Sequence, residues 1–436
     1  MHEPESPPRR RIPRNLWALS ATSFFMDISS EMILNVLPLF LSNVLGVGTA
    51  VIGLIEGVAE ATASLLKVFA GGLSDRLGAR KPLAAGGYIL SALAKPLFLL
   101  AGSWGVVAGA RWADRVGKGV RTAPRDALIA DSISSSDRGL AFGMHRAADT
   151  GGAVLGLLIT IAVVTHLQGN TSELGKDTFR TLVLVSLVPA VLAVLSVVLG
   201  VRETRKRAAA DGPRIGFRGL GRRFAIFLGI VALFDLGNFS DAFLVLRAQE
   251  RGLGVGDVLW TLLGFNLVYA LVSTPAGALS DRIGRRRIII AGWIAYAGIY
   301  LGFALAGSAT EIVGLYLSYG AYYGLTTGTA KAMVADLVPV ELRGTAYGSY
   351  HALLGIIDLP ASVIAGVLWQ GIGSWPGFGP AAPFYFGGAT ALAAALLFAA
   401  FVRDQTNDGA QGDSVSGASA SSLVSGARLG ADEKRT

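Results

Sequence analysis

The chain has 436 residues, of which 52% are hydrophobic and only 16% charged, with 57 glycines, no cysteine and a mean hydropathy of +0.54. A soluble domain carries about 25% charged residues, so an ordinary soluble enzyme is excluded, and without cysteine so are disulfide frameworks, thiolate zinc sites, iron–sulfur clusters and cysteine nucleophiles. The net charge of +8 lies in short basic tracts between apolar segments, which reads as membrane topology and not as a nucleic-acid surface.

A hydrocarbon core of about 30 Å takes roughly 20 residues per helix, so about 400 residues hold about twelve spans. Apolar segments fall near 15–44, 50–73, 82–102, 104–130, 137–166, 178–201, 223–248, 256–280, 287–306, 310–336, 343–371 and 381–402. These are spans 1 to 12, and span 4 carries the most charge. Residues 1–14 are polar and the segment after them is too long for a signal-peptide core, so no cleavable signal is expected. Lys and Arg gather before span 1 and in the connections 2–3, 6–7 and 8–9. The positive-inside rule then places both termini in the cytoplasm. Expected domains are a tail (1–14), an N-terminal six-helix bundle (15–201), a basic linker (202–222), a C-terminal six-helix bundle (223–402) and a disordered Ser/Gly/Ala/Asp-rich tail (403–436).

The halves repeat each other. GGLSDRLGARK (71–81) matches GALSDRIGRRR (277–287), ALIAD (127–131) matches AMVAD (332–336), and DRGLAFG (137–143) matches LRGTAYG (342–348). With the two GVG tripeptides at 46–48 and 254–256, all offsets lie between 205 and 208. Several matches at one period imply two bundles of parallel topology.

On these residues the chain resembles the major facilitator superfamily from 15 to 402. The superfamily's loop motif G-x-L-x-D-R-x-G-R-K appears as Gly71 to Lys81, with Ala79 in place of the first basic residue, and again as Gly277 to Arg287. The resemblance implies an all-α integral membrane fold, two six-helix bundles related by a pseudo-two-fold axis, and secondary transport by alternating access. In the motif, Gly71 and Gly277 permit close helix approach, and Asp75 and Asp281 can cap a neighbouring helix. Arg76 is expected to pair with Asp131 beside Arg138, and Arg282 with Asp336 beside Arg343, as a gating relay. In span 4, Arg111 to Gly119 resembles the family pattern R-x-x-x-G-x-G-x-G with Arg115 at the first glycine. In span 5, residues 151–156 match half of the antiporter pattern, with Ala153 where proline stands.

Charge at the bilayer centre is costly, so intramembrane ionisable residues are functional candidates. Asp27 and Glu31 share a face of span 1 at i, i+4, and Glu56 and Glu60 repeat the spacing in span 2. Clustered carboxylates in a low dielectric can exchange a proton with solvent, so these four are the proton-coupling candidates; the bland reading is permanent salt bridges to span 4. Arg111, Arg115 and Arg125 form a basic stripe that can bind an anionic group or orient the acids. With Asp149, Asp235, Asn238 and Tyr323 they are the substrate-cavity candidates. Lys67 and Lys95 are expected to snorkel. Tyr316, Tyr319, Tyr322, Tyr347 and Tyr350 read first as packing anchors.

The charged N-terminal half points to a polar, charged or zwitterionic solute. Paired loop motifs and an acidic span 1 resemble the drug and metabolite:proton antiporter branch, which implies export. The alternative is proton-coupled uptake of an organic anion or metal chelate, and a non-transporting scaffold is a minor one. No P-loop, G-x-S-x-G or H-E-x-x-H occurs, so neither an enzyme nor a cofactor is expected. Arginines beside the acids oppose a bare metal ion. The expected partners are a small-molecule substrate, protons and the lipid bilayer of a bacterial-type inner membrane, without nucleic acid, for a monomeric protein.

Overall fold

The structure is a computed structural model that describes residues 12–134, 137–169, 171–204, 220–339 and 342–402, the side chains of Ala278 and Asp281 excepted. The N-terminal tail to Arg11, most of the basic linker and the tail from 403 lie outside the described residues, as does the side chain of the motif residue Asp281. Among the described residues the regular structure is helical apart from one isolated bridge between Ile372 and Trp375.

All twelve expected segments are helical. Nine described helical segments are long and apolar enough to cross a membrane. The other three have identifiable causes: span 4 (Trp104–Asp131) carries the charges, span 10 (Ala309–Asp336) is rich in Tyr, Gly and Thr, and span 7 is broken. The outer surface is apolar, with Leu184, Val188, Leu195 and Leu199 exposed along span 6. Trp17, Trp104 and Trp260 are exposed near helix ends, where interfacial Trp sits.

Four spans depart from regular α-helix: span 6 ends in a π-helical turn, Ser196–Gly200, and three others are interrupted. Span 1 runs Arg14–Leu34, turns at Asn35 and Val36, and resumes through Leu37–Leu39 into a π-helical turn, Phe40–Val44. Pro38 lacks the N–H that would bond the Leu34 carbonyl. Span 3 tightens from Lys81–Ala94 into a 3-10 stretch, Lys95–Leu100, at Pro96. Span 7, expected to be continuous, breaks between Gly221–Leu236 and Ala242–Glu250. The intervening Gly237, Asn238, Ser240 and Asp241 are poor helix formers. A Cβ on Gly237 would lie 1.8 Å from the Thr390 hydroxyl, so only glycine lets span 12 approach here. The Gly237 carbonyl freed by the break accepts from the buried Tyr296 hydroxyl at 3.0 Å.

The repeat is visible in packing. Span 1 packs on 5 and 6, 2 on 4, and 3 on 4; span 7 packs on 11 and 12, 8 on 10, and 9 on 10. The halves meet through spans 2 and 11 and through spans 5 and 8, which are also equivalent pairs. Small residues make the close contacts. Cβ atoms on Gly53 and Gly366 would fall 2.2 Å and 2.4 Å from backbone carbonyls of the facing span. Gly152 and Gly156 do the same for span 5 against span 1, at 2.4 Å and 2.6 Å.

The halves are fastened at the end away from the loop motifs. Thr49 Oγ1 donates to the Gly366 carbonyl at 3.1 Å, Gln249 Nε2 to the Ser172 carbonyl at 2.6 Å, and the Val255 N–H to the Thr171 carbonyl at 2.9 Å. Toward the motif end, Lys118, Arg146 and Lys331 are exposed between the spans, so solvent enters there.

Candidate functional site

A cavity of 450 Å³ lies at the centre, between the halves. The kink of span 1 and the break of span 7 both face it, contributing Asn35 and Pro38 from one and Asn238, Phe239, Ser240 and Asp241 from the other. Interrupted helices turn free backbone polar groups toward a ligand, which regular helices cannot do.

Five carboxylates line the cavity (Glu31, Glu56, Glu60, Asp241 and Asp358), against two bases, Arg111 and Arg115. Both arginines are engaged. Arg111 Nη2 lies 2.6 Å from Glu56 Oε2 and 3.4 Å from Glu60, and Arg115 lies 3.2 Å from Glu60. Arg111, Arg115 and Glu56 are buried, whereas the Glu60 side chain is 39% exposed. Two of the remaining three acids take neutral donors. Glu31 accepts from Asn35 Nδ2 at 2.8 Å, and Asp241 accepts from the Tyr319 hydroxyl at 3.1 Å.

The stripe of span 4 continues away from the cavity. Asp114 is buried among Lys95, Arg115 and Arg121. Lys95, expected to snorkel, is instead only 2% exposed and donates to Ser30 Oγ at 3.1 Å. Arg121 lies over the Tyr88 ring, 4.6 Å from its centroid, and donates to Ser91 Oγ. Arg125 is turned to Asp126 at 2.9 Å and to Ser23 at 3.1 Å. It therefore stands outside the cavity lining. Asp27 is one turn nearer the motif end than Glu31, among Glu31, Asp149, Lys118 and Arg121. Asp149 approaches His145 at 3.8 Å and is likewise outside the lining.

Of the expected cavity residues, Arg111, Arg115, Asn238 and Tyr323 line it, while Asp235 lines an adjoining cavity that shares Asn238 and Tyr323. Asp241 and Asp358, intramembrane acids of the C-terminal half, join them in the lining of the central cavity. Their signals were a cluster of helix-breaking residues in span 7 and Pro360 two residues after Asp358 in span 11. Tyr316, Tyr319, Tyr322 and Tyr350 are buried, and Tyr322 and Tyr350 line that adjoining cavity.

At the loop motifs, the arginine gripping Asp131 is Arg80, which also bonds the Ala127 carbonyl at 2.9 Å and lies 3.4 Å from Asp75. Arg285 grips Asp336 and bonds the Ala332 carbonyl at 3.1 Å, one repeat later. Arg76, Arg138, Arg282 and Arg343 are exposed. The anticipated pairs are thus shifted to the other end of each loop, because Arg76 and Arg282 still belong to the helix and point outward. Helix capping at the loop also differs from expectation. Glu203, at the end of span 6, accepts from the Arg80 and Lys81 N–H groups at 3.1 Å and 3.0 Å, placing an anion at the positive end of span 3. Gly71 meets Ala123 of span 4, and Gly277 meets nothing within 4 Å.

Comparison with known proteins agrees with this architecture. The family model described as Major Facilitator Superfamily matches residues 19–234 and 225–428. The chain belongs to the major facilitator superfamily. It is 34% identical over 397 residues to an uncharacterized MFS-type transporter of Methanocaldococcus jannaschii, covering 89% of this chain and 95% of that one. An MFS efflux pump of Emericella nidulans is 30% identical over 184 residues, 40% of this chain and 34% of the pump. The crystal structure of a nucleoside transporter, at 12% identity, superposes with a TM-score of 0.71 over 89% of this chain and all of that one. The protein is a multi-pass membrane transporter of small molecules and not an enzyme.

Proposed function

We propose that the protein is a proton-coupled exporter of a small polar or charged organic solute, working by alternating access in a bacterial-type inner membrane with both termini cytoplasmic. The observation that carries this reading is the excess of carboxylates over bases around the central cavity, with both arginines already engaged by Glu56 and Glu60. Glu31 and Asp241 hold only neutral hydrogen-bond partners. Each can take up a proton from the solvent-facing side and release it when solute arrives. Asp27, among Asp149, Glu31, Lys118 and Arg121, lies on the route from the motif end to Glu31.

Fastening at the end away from the motifs and solvent entry beside Lys118 and Lys331 correspond to an inward-facing state. The pairs Arg80–Asp131 and Arg285–Asp336, beside Gly71, Asp75, Gly277 and Asp281 in the last turns of spans 2 and 8, act as the hinge of the gate. They brace each half as a rigid body, so that opening happens between halves. Organic-anion uptake is disfavoured because no arginine at the cavity is left without a carboxylate. The protein acts as a monomer, each chain carrying a whole cavity.

Everted membrane vesicles with a respiration-generated proton gradient test the reading. Tryptamine, putrescine, glycine betaine and glutarate are added in turn while luminal acidity is followed by dye fluorescence. Export coupled to protons lets at least one solute dissipate the gradient only in vesicles containing the protein, and Glu31→Gln abolishes the effect. Solute accumulation in right-side-out vesicles under an inward proton gradient would reverse the proposed direction.

A further inference from the structure

Beside the central cavity lies a second, of 230 Å³, lined by the C-terminal half alone. Its walls carry Phe227, Phe234, Trp293, Tyr322 and Tyr350. Phe234 stacks on Trp293 with ring centroids 4.8 Å apart and an interplanar angle of 11°. An apolar cavity of about 150 Å³ accommodates a benzene ring, so this one has room for a fused bicyclic group.

Into this ring-lined space Asp235 brings a carboxylate that is only 6% exposed. Oδ1 accepts from Asn238 Nδ2 at 3.3 Å, and Oδ2 is buried without a hydrogen-bond partner. Among the described residues no salt bridge reaches Asp235, Asp241 or Asp358. Asp358 is within Coulombic reach of Asp235 and lines the central cavity. The two acids therefore flank the junction, where Asn238 and Tyr323 belong to both cavities. Lys331 and His351 also line the smaller cavity. Lys331 is exposed, facing Arg146 and Asp126, and His351 faces Lys67 and Lys331. Neither neutralises Asp235.

An isolated buried carboxylate is expensive unless a cation or proton compensates it. Aromatic walls supply both apolar contact and attraction for a cation over a ring face. We infer that the smaller cavity is a binding subsite for the ring system of an aromatic amine whose ammonium group sits between Asp235 and Asp358. This assignment rests on the transport reading above and gives it a substrate class: an amphiphilic organic cation with one ring system.

Isothermal titration of the purified full-length chain in detergent, near neutral pH, tests the assignment with three indoles of similar size. Tryptamine carries an ammonium group, 3-ethylindole is neutral and indole-3-propionate is anionic. Tryptamine is expected to bind about tenfold or more tightly than either of the others, the scale of one charge-assisted hydrogen bond. Asp235→Asn and, separately, Asp358→Asn each weaken tryptamine about tenfold while leaving 3-ethylindole within about twofold. Because the charge series is measured on the wild type, a misfolded variant does not remove the test. Equal or tighter binding of 3-ethylindole or indole-3-propionate, or no measurable binding of tryptamine, overturns the assignment. Selective tryptamine binding without proton exchange in vesicles would preserve the subsite and sink the coupling. Proton-driven efflux of glutarate without tryptamine binding would do the reverse.

Discussion

Arg111 and Glu56 are 4% and 5% exposed and 2.6 Å apart, so each is tolerable inside the bundle only while the other is present. Removing one partner of a buried pair strands the other charge and costs about 3–5 kcal/mol, whereas replacing both with apolar groups is nearly neutral. Arg111→Met alone is therefore expected to lower thermal stability in detergent sharply, and Arg111→Met with Glu56→Met to recover most of the loss. A double-mutant cycle that came out additive would show the pair to be energetically uncoupled. Sequence spacing had put Arg111 and Glu56 on neighbouring spans and had left open whether they paired or served substrate. In the structure Arg111 pairs with Glu56 and also lines the central cavity. Arg247 is a contrasting residue: it lies on the lightly charged side by sequence, yet is 1% exposed. Its guanidinium bonds the Phe303 and Ala304 carbonyls at 3.0 Å and 2.9 Å and Glu250 at 2.6 Å. It ties span 7 to the end of span 9, a role that no local pattern announces because its acceptors are backbone atoms 56 and 57 residues away.

Helices of this protein were legible because apolar runs of membrane length need no tertiary information. Their interruptions were less so. Pro38 and Pro96 mark two of them, but the break at Gly237 to Asp241 depends on span 12 pressing against Gly237 and on the Tyr296 hydroxyl donating to its carbonyl. Glycines at crossing points give the elements a second property that can be tested. A Cβ on Gly53 would meet the Ser362 carbonyl at 2.2 Å, and overpacking of this kind costs about 1–3 kcal/mol. Gly53→Val is expected to separate spans 2 and 11 and lower the melting temperature. Gly86→Ala, where a Cβ meets nothing within 4 Å, leaves it unchanged. Equal melting of the two variants would show that the 2–11 contact does not limit stability.

For the whole molecule, the absence of cysteine offers a clean background for crosslinking. Across the halves the Thr49 N–H donates to Gln370 Oε1 at 2.6 Å. A Thr49→Cys, Gln370→Cys variant treated with a short flexible bis-maleimide is expected to crosslink without added solute and to lose solute-dependent proton movement in vesicles. Retained activity in the crosslinked protein would mean that this end need not open. The pseudo-symmetry makes such motion economical to encode, since inter-half contacts 2–11 and 5–8 are copies of one another.

Period, charge placement and apolar length determined the membrane class, the twelve segments, the two equivalent halves and the acidic character of spans 1 and 2, because each is a property of the chain read locally or against its own repeat. Only the tertiary structure decided which charges neutralise one another: Arg80 in place of Arg76 on Asp131, Arg125 on Asp126 outside the cavity, and Asp235 without a cation in a pocket of rings. Helix spacing says which side chains share a face, while pairing depends on how neighbouring spans cross and rotate. That crossing is set by glycine contacts and helix breaks between residues far apart in the chain.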